Sequence, residues 1–595
     1  MSTKSRRRPL ASPSISDDAS SQSSKVNSTP TGPRKSLFTS SLTSLTFLIA
    51  LQLFSRFFTS VLNSALLRLA SPKAFGTAAI QFELVLSTIL VVSREGVRNA
   101  ILRTDSKEKK DEGCVTGWVG REDEDRYVKQ LNLTFLPILL GVPLSLLTSF
   151  VYLSTASSEV RAQPHLSLAV GIYAVAALVE LAGEPMHNRA MIELKTDVRV
   201  RAEGLGITAK SLATLAILYF DAWRGQDDLA LIAFALGQLA YAGTVWVKPK
   251  ARASNAGKEG YFDKGLLNLS ATMTAQSVIK HVLTEGDKLM LTFFSPLQDQ
   301  GGYAVAANYG SLLARIIFQP LEETLRLYFS KLLTSPSGSS LSTASTALTS
   351  LLLTQTSFSL LFVLFGSSYL PFVLPLVLPP KYAATSAGSI LGAWVYLIPW
   401  LSLNGSLEAF LSSAAGAGEV RRQSKWMFAF SVIYISTAVF LYRLGWGDVS
   451  LIYANCVSLA ARAAYCLAFS KRFFSSFPTA ASENATATQN VGTTEKTQPT
   501  AQGGEFRLAN GLPRLPFLIA VSASAVIIQL SSKRFNVASA VAKGGKYVLF
   551  QRDVLTHVVV GGALGVGCLA VWWVSSGKSV LETVRSQRGG RVKAD

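Results

Sequence analysis

Ionisable side chains lie in the middle of apolar segments that are long enough to cross a membrane. Arg56 lies in segment 37–70, Glu184 in segment 173–193 and Glu408 in segment 390–415. An ionised group at the bilayer centre costs roughly 2.5–3.5 kcal/mol on insertion scales. Such groups are retained where they pair with one another or face a water-filled cavity. The sequence therefore predicts a polar interior within a bundle of membrane helices.

Arginines are the candidate cations of this interior. Arg56 lies centrally in the first apolar segment, from which snorkelling to the interface is difficult. Arg94 and Arg98 are spaced i, i+4 and share one helix face, so they either bind a ligand or anchor the helix end. Arg315 is a fourth candidate. Arg462 is a further candidate, with snorkelling as the alternative.

Carboxylates in the same segments have two alternative roles. Glu184 follows Glu180 by one turn and precedes a proline, and Glu408 follows an Asn-Gly pair. Carboxylates in a membrane cavity can carry protons or sodium, and hydrogen bonding between helices is the alternative. The other charges assigned to gates or structural pairs are Lys280, Glu285, Asp287, Lys288, Glu322 and Glu323.

Two of these groups carry local backbone signals. Glu285, Asp287 and Lys288 surround a glycine, which predicts either a polar break that acts as a gate or an internal ion pair. Pro320 precedes Glu322 and Glu323 and predicts a helix kink, because proline removes a backbone hydrogen bond. One of the two acids is expected to pair with an arginine at position 326, three or four residues away.

The composition requires a membrane to position these residues. The chain of 595 residues is 49% hydrophobic and 16% charged, with a mean hydropathy of +0.31, whereas soluble proteins carry about 25% charged residues. With about 20 residues per crossing, the chain is predicted to be an all-α polytopic protein with about fourteen spans. Their centres are near Ala50, Leu86, Leu139, Ala174, Ala213, Leu236, Ile279, Leu313, Phe358, Trp400, Ile433, Leu459, Ala523 and Gly565.

The net charge of +20 is explained by topology rather than by nucleic acid. Lysines and arginines concentrate in alternate loops, as the positive-inside pattern requires, and an even number of spans then places both termini in the cytosol. The stretch 533–552 is the exception. The basic segments are 4–35, 107–126, 195–201, 248–264, 421–425, 471–507 and 578–593.

An internal repeat predicts two lobes around a central cavity. Gln52 and Arg56 recur as Gln276 and Lys280, and Glu184 recurs as Glu408, at an offset of 224 residues. Parallel repeats of this kind build transporters whose site lies between the lobes. The predicted organisation is a disordered cytosolic tail (1–36), a six-helix N-lobe (37–250), a six-helix C-lobe (251–474), a disordered cytosolic linker (475–512), a helix pair (513–576) and a cytosolic tail (577–595).

Signals for catalysis are absent from the sequence. The four histidines and four cysteines show no metal-ligand or disulfide spacing, and no phosphate-binding glycine loop or nucleophile elbow occurs. We therefore expect no enzyme activity, catalytic residue, cofactor or metal.

Several of these segments together resemble the eukaryotic endoplasmic-reticulum family required for translocating the dolichol-linked oligosaccharide intermediate of N-glycosylation. That family belongs to the multidrug, oligosaccharidyl-lipid and polysaccharide exporter superfamily, which includes the bacterial lipid II flippases. The matching stretches are Ser93-Arg94-Glu95-Gly96-Val97-Arg98, Glu184-Pro185, Glu285-Gly286-Asp287-Lys288, 318–323 and Asn404-Gly405-Ser406-Leu407-Glu408-Ala409-Phe410.

The resemblance implies a multi-pass protein of the endoplasmic-reticulum membrane with alternating access and a cationic cavity. In this implied site Arg56, Arg94 or Arg98, and Arg315 hold the diphosphate of a dolichyl-diphosphate oligosaccharide, which moves from the cytosolic to the lumenal leaflet. Glycosylation enzymes of the membrane are further candidate partners. The alternatives are a non-transporting chaperone or scaffold for this glycolipid and a cation-coupled exporter.

Overall fold

The computed structural model describes residues 61–101, 132–192, 196–244, 264–334, 337–476, 506, 508–537, 539 and 551–582. Arg56, the N-terminal tail and the loop 107–126 lie outside the described residues, as do most of the predicted linker and the end of the C-terminal tail. Within the described part of the chain, every regular element is a helix.

Sixteen helices are used below, numbered along the described chain. They are α1 (Pro72–Ile101), α2 (Leu136–Thr155), α3 (Leu166–Ala182), α4 (Glu184–Ile192), α5 (Thr196–Arg224), α6 (Ala230–Thr244), α7 (Lys264–Thr284), α8 (Gly286–Phe294), α9 (Leu297–Gly310), α10 (Gln319–Leu332), α11 (Gly338–Val377), α12 (Ala387–Ala414), α13 (Ala417–Leu441), α14 (Val449–Ser475), α15 (Leu515–Arg534) and α16 (Arg552–Trp572).

In the described residues, 10 helical segments are long and apolar enough to cross a membrane. Each coincides with a predicted span. The predicted span near Ala50 lies outside the described residues. Those near Leu236, Ile279 and Leu313 fall in helices that are shorter or more polar. The protein is therefore an all-helical, multi-pass membrane protein, and the count of fourteen spans stays a prediction.

Two predicted spans contain breaks at polar or glycine positions, and a third contains a π-helical turn. Gly183 separates α3 from α4, and Glu285 separates α7 from α8. Pro320 comes directly after a π-helical turn, Ala314–Phe318, and Phe318 and Gln319 between them keep helical dihedral angles. The regular α-helical hydrogen-bond pattern is therefore disturbed just before Pro320, as a proline inside a helix requires.

Of five apolar cores in the described residues, the three largest hold most of the helices together. The first is formed mainly by α1, α3, α5 and α6, with Phe82 and Tyr173 at its centre. The second joins α9, α12, α13 and α14. The third joins α10, α11, α12 and α14 around Phe329 and Phe410. These cores fix the helices that carry the charged side chains.

The starts of α1 and α9 cross in close contact at one end of the bundle. A Cβ atom on Gly301 would lie 2.0 Å from the Pro72 carbonyl oxygen, so only glycine permits this approach. Beside it, Gln81 Nε2 donates to Gln300 Oε1 at 2.8 Å, and both side chains are buried. This end is therefore sealed by backbone packing and one buried amide pair.

Asp448 is a buried carboxylate at the same end. It lies between two candidate spans and accepts hydrogen bonds from Ser295 Oγ at 2.8 Å and Ser386 Oγ at 3.3 Å. Burial raises the pKa of Asp448 and nearby Asp299 adds to the rise, whereas the two hydroxyl groups oppose it. Among the described residues, no arginine or lysine forms an ion pair with it.

The end of the predicted disordered linker is ordered, which differs from the sequence prediction. Leu508–Gly511 forms a helical turn that packs on α11, where Thr356 Oγ1 donates to the Gly511 carbonyl oxygen at 2.9 Å. The final pair, α15 and α16, also contacts α11. Buried His557 stacks on Tyr369 there, with ring centroids 5.1 Å apart.

Candidate functional site

The first group of intramembrane charges is named the buried cluster and comprises Arg94, Arg98, Glu180 and Glu184. Arg94 Nη1 donates to Glu180 Oε1 at 2.7 Å and to Glu184 Oε1 at 3.1 Å. Arg98 binds Glu184 with two prongs, through Nε at 2.8 Å and Nη2 at 2.5 Å. The Glu180 and Glu184 side chains are only 9% and 2% exposed and the Arg94 and Arg98 side chains 17% and 19%, so two buried carboxylates are neutralised by two partly exposed arginines.

Local sequence explains how this cluster assembles. Arg94 and Arg98 are about one turn apart on α1 and face the same neighbours. Gly183 ends α3, and Glu184 then starts α4, so both carboxylates reach α1 despite the break. Gly96, between the arginines, lets α7 approach closely. A Cβ there would lie 2.0 Å from Thr274 Oγ1 and 2.7 Å from the Ser270 carbonyl oxygen.

A second group, named the open cluster, comprises Glu322, Arg326, Glu408 and Arg462. Arg326 Nη2 donates to Glu322 Oε1 at 2.7 Å within α10. Arg462 Nη2 on α14 donates to Glu408 Oε2 on α12 at 2.8 Å. The arginine side chains are 52% and 26% exposed and the glutamates 31% and 24%, so every member is partly exposed.

Small and amide residues of α12 bring the two pairs together. Gly405 lies against Glu322, since a Cβ at this position would be 3.2 Å from Glu322 Oε2. Asn404 Nδ2 donates to Glu408 Oε2 at 3.1 Å, the same oxygen that Arg462 binds. The cluster thus spans α10, α12 and α14, which share the third apolar core.

The remaining predicted residues are dispersed. Arg315 Nη2 donates to Asn308 through its carbonyl and side-chain oxygens, both at 2.8 Å. Lys280 is exposed on α7, and Glu323 is exposed on α10. None of these three side chains belongs to either cluster.

The break between α7 and α8 contains an internal ion pair. Lys288 Nζ contacts Glu285 Oε2 at 2.8 Å, one turn apart. Asp287 is bound instead by tyrosines: Tyr303 donates to it at 3.3 Å, and Tyr434 of α13 also donates to it. The internal ion pair and a break in the helix are therefore both present, and a gating role for this segment stays a prediction.

Sequence reasoning anticipated the Glu322–Arg326 pair from its spacing and left hydrogen bonding between helices open for Glu184, but it named no partner helix. It assigned Arg94 and Arg98 to a ligand or to the helix end and Glu184 to a gate or a structural pair, and in the structure these side chains bind one another. The 224-residue offset between Glu184 and Glu408 was the available signal, because each carboxylate is the centre of one cluster. No pattern indicated that Arg462 is the partner of Glu408.

The described part of the chain contains no evident binding site for a metal ion. No three side chains among histidine, cysteine, aspartate and glutamate meet there as a metal-binding group. What the clusters offer is guanidinium and carboxylate groups inside apolar helices, an arrangement suited to binding and conformational change.

Sequence comparison identifies related proteins over most of the chain. The chain is 32% identical to the Man(5)GlcNAc(2)-PP-dolichol translocation protein RFT1 of Yarrowia lipolytica, over 75% of this chain and 72% of the relative. The protein of the same name from Schizosaccharomyces pombe is 33% identical over 73% of this chain and 83% of the relative. The Saccharomyces cerevisiae protein is 29% identical, over 76% and 86%.

The fold is shared with a solved structure of the lipid II flippase MurJ in an inward closed conformation. The TM-score is 0.50 at 14% identity, covering 89% of this chain and 99% of that chain. The family model described as Rft protein matches residues 40–586. This chain therefore belongs to the Rft protein family.

Proposed function

We propose that this protein translocates Man5GlcNAc2-PP-dolichol from the cytosolic to the lumenal leaflet of the endoplasmic-reticulum membrane. The proposal is supported by the translocation proteins that align with about three quarters of the chain. It is carried by one structural observation: ion pairs lie inside apolar spans, in a fold shared with a lipid flippase. A polar headgroup could move along such an interior while its dolichyl tail stays in lipid.

The proposed architecture has fourteen spans, with lobes at 37–250 and 251–474 and a helix pair at 513–576. Support comes from the apolar cores, since the first core is built almost entirely from the proposed N-lobe and the third entirely from later residues. Both termini are proposed to be cytosolic on the positive-inside pattern. The sealed end of α1 and α9 is then lumenal.

The proposed diphosphate ligands are Arg56, Arg94, Arg98 and Arg315. A guanidinium group offers a fork of donors that matches phosphate oxygens. Arg94 and Arg98 hold carboxylates in this conformation, so substrate would have to replace Glu180 and Glu184 or bind in another conformation. The charges at Lys280, Glu285, Asp287, Lys288, Glu322, Glu323 and Glu408 are proposed to act as gates or structural partners. No covalent chemistry is needed, so the protein is proposed not to be an enzyme.

Reconstitution tests this function directly. Purified full-length protein would be placed in vesicles with labelled Man5GlcNAc2-PP-dolichol, and the fraction accessible to an external mannose-binding lectin would be followed with time. We expect lipid initially inside to reach the outer leaflet faster than in protein-free vesicles. Equal rates would overturn the proposal and would favour a scaffold that binds the glycolipid or the glycosylation enzymes without moving it. Dependence on a cation gradient would favour a coupled exporter.

A further inference from the structure

The open cluster has the properties of an anion-binding site that none of the comparisons assigns. We propose that Arg326 and Arg462 bind the diphosphate of the translocated lipid by exchanging the carboxylates of Glu322 and Glu408 for phosphate oxygens. This inference rests on the proposed function and adds two residues, on α10 and α14, to the site.

The position of the Glu408–Arg462 pair indicates that it faces water. Both residues lie well inside candidate spans, 387–414 for Glu408 and 449–475 for Arg462. About a quarter of each side chain is nevertheless accessible. Ionised groups that face the hydrocarbon cost several kcal/mol, whereas groups in a hydrated cavity do not. A hydrated cavity inside the bundle is therefore the environment that these two charges favour.

The arginines of the open cluster have donors available for a ligand. Among the contacts of the described residues, Arg326 and Arg462 each use one nitrogen, Nη2, to bind one carboxylate. A guanidinium group has five N–H donors. In the buried cluster, by contrast, Arg98 already binds Glu184 with two prongs, through Nε and Nη2. A diphosphate can therefore engage the open cluster without first breaking a two-pronged pair.

Exchange of a carboxylate for phosphate suits this geometry. A diphosphate offers more negative charge and more acceptor oxygens than one carboxylate, so it competes well for a guanidinium group. The released Glu322 and Glu408 are already partly hydrated, so freeing them costs little compared with freeing Glu184, which is 2% exposed. The glutamates would hold the arginines in place between transport cycles.

The backbone keeps the exchange site in register. Asn404 and Gly405 occupy adjacent positions on α12. The Asn404 side chain donates a hydrogen bond to Glu408, and Gly405, which has no side chain, leaves room for the Glu322 carboxylate. Neighbouring Phe410 packs on Phe329 of α10 at a centroid distance of 5.1 Å. Packing of this kind holds the two arginines on helices that both pack against α12 in the third core, and a ligand with two phosphate groups could bind both only if their side chains converge.

Binding measurements on the full-length protein in nanodiscs test the proposal. The probe is a farnesyl diphosphate that carries chitobiose, and its Kd is measured for wild type and for four variants: Arg462→Gln, Arg462→Lys, Glu408→Gln and Arg443→Gln. Arg443 is an exposed arginine near the end of α13 and serves as the matched control. Competition by inorganic pyrophosphate and by phosphatidylserine in the nanodisc separates a diphosphate site from a lipid-headgroup site.

We expect Arg462→Gln to raise the Kd about tenfold, equal to about 1.4 kcal/mol, and Arg443→Gln to leave it unchanged. Arg462→Lys keeps the charge but loses the fork, so an intermediate rise is expected. Glu408→Gln removes the competing carboxylate and should lower the Kd about threefold, which a purely structural pair would not do. Pyrophosphate should compete for the probe and phosphatidylserine should not.

Three results would overturn the inference: equal Kd values for Arg462→Gln and Arg443→Gln, weaker binding by Glu408→Gln, or competition by phosphatidylserine as strong as that by pyrophosphate. Thermal unfolding of each variant identifies changes in affinity that come from loss of fold. If Arg462→Gln unfolds, the Kd of Arg462→Lys still tests the inference, because the lysine can keep an ion pair with Glu408. Absence of probe binding by wild type would contradict the proposed function as well. Translocation by an Arg462→Gln variant at the wild-type rate would contradict this inference alone.

Discussion

The buried and open clusters contain the same side chains, two arginines and two glutamates, but differ in access to water and in the geometry of their pairs. In the buried cluster Glu184 is enclosed and bound by both arginines. In the open cluster each glutamate binds one arginine through a single nitrogen, and all four side chains are partly exposed. The predicted repeat pairs Glu184 with Glu408 at an offset of 224 residues.

This difference separates a structural role from a binding role. A buried ion pair whose partners have left water is costly to break, because the remaining charge is uncompensated. A hydrated pair contributes little to stability and exchanges partners readily. We infer that the buried cluster ties α1 to α3 and α4, and that the open cluster keeps two arginines available to a ligand.

Neutralising the central carboxylate of each cluster should give the largest contrast in stability. Glu184→Gln leaves two arginines without their shared partner and should lower the free energy of unfolding by about 3–5 kcal/mol. Glu408→Gln should lower it by about 1 kcal/mol or less. Thermal and denaturant unfolding in detergent measure both, with Glu323→Gln on exposed α10 surface as a control. Similar losses for Glu184→Gln and Glu408→Gln would remove the distinction between the clusters.

Adding one methyl group beside each cluster should give a smaller difference in the free energy of unfolding. Gly96→Ala places a Cβ against the α7 backbone, 2.7 Å from the Ser270 carbonyl oxygen, and should cost about 1–3 kcal/mol through overpacking. Gly405→Ala meets only the movable end of Glu322, and its gain in helix propensity should keep the change within about 1 kcal/mol. Unfolding of the two variants checks this order, and a larger loss for Gly405→Ala would contradict it.

Asp448 extends the comparison to a buried carboxylate with no arginine or lysine partner in the described part of the chain. Its pKa in the folded protein is raised above the unfolded value of about 3.9. Its contribution to stability is therefore present at low pH and is lost as the pH rises through the raised pKa. Asp448→Asn should be more thermostable than wild type at pH 8, with a difference that shrinks as the pH approaches 4. A difference in thermal unfolding that does not change with pH would contradict this account.

Much of the fold could be predicted because hydropathy and charge are local signals. The 10 segments that could cross a membrane coincide with predicted spans, and the break at Glu285 follows from a glycine among charges. The segments near Ile279 and Leu313 are more polar than a membrane span because α7 and α10 carry charged side chains in addition to apolar ones. Pro320 indicated a disturbance of its helix, but the π-helical turn before it has no clear sequence signature.

The candidate site was predicted only in its residue types. Arg98 and Glu184 are separated by 86 positions, and periodicity within one helix does not show which neighbour that helix faces. The pairing of Glu408 with Arg462 depends in the same way on α12 packing against α14 in the third core. The Glu322–Arg326 pair was predictable because both residues belong to a single helix turn.

Chemical access to the two clusters tests the central distinction most directly. In a background with the native cysteines replaced, the thiols introduced by Arg462→Cys and Arg98→Cys would be exposed to a membrane-impermeant cationic thiol reagent, and the two reaction rates would be compared. We predict faster reaction at position 462, with protection by the farnesyl diphosphate probe. Equal rates, or faster reaction at position 98, would contradict the assignment of the open cluster to the water-filled interior.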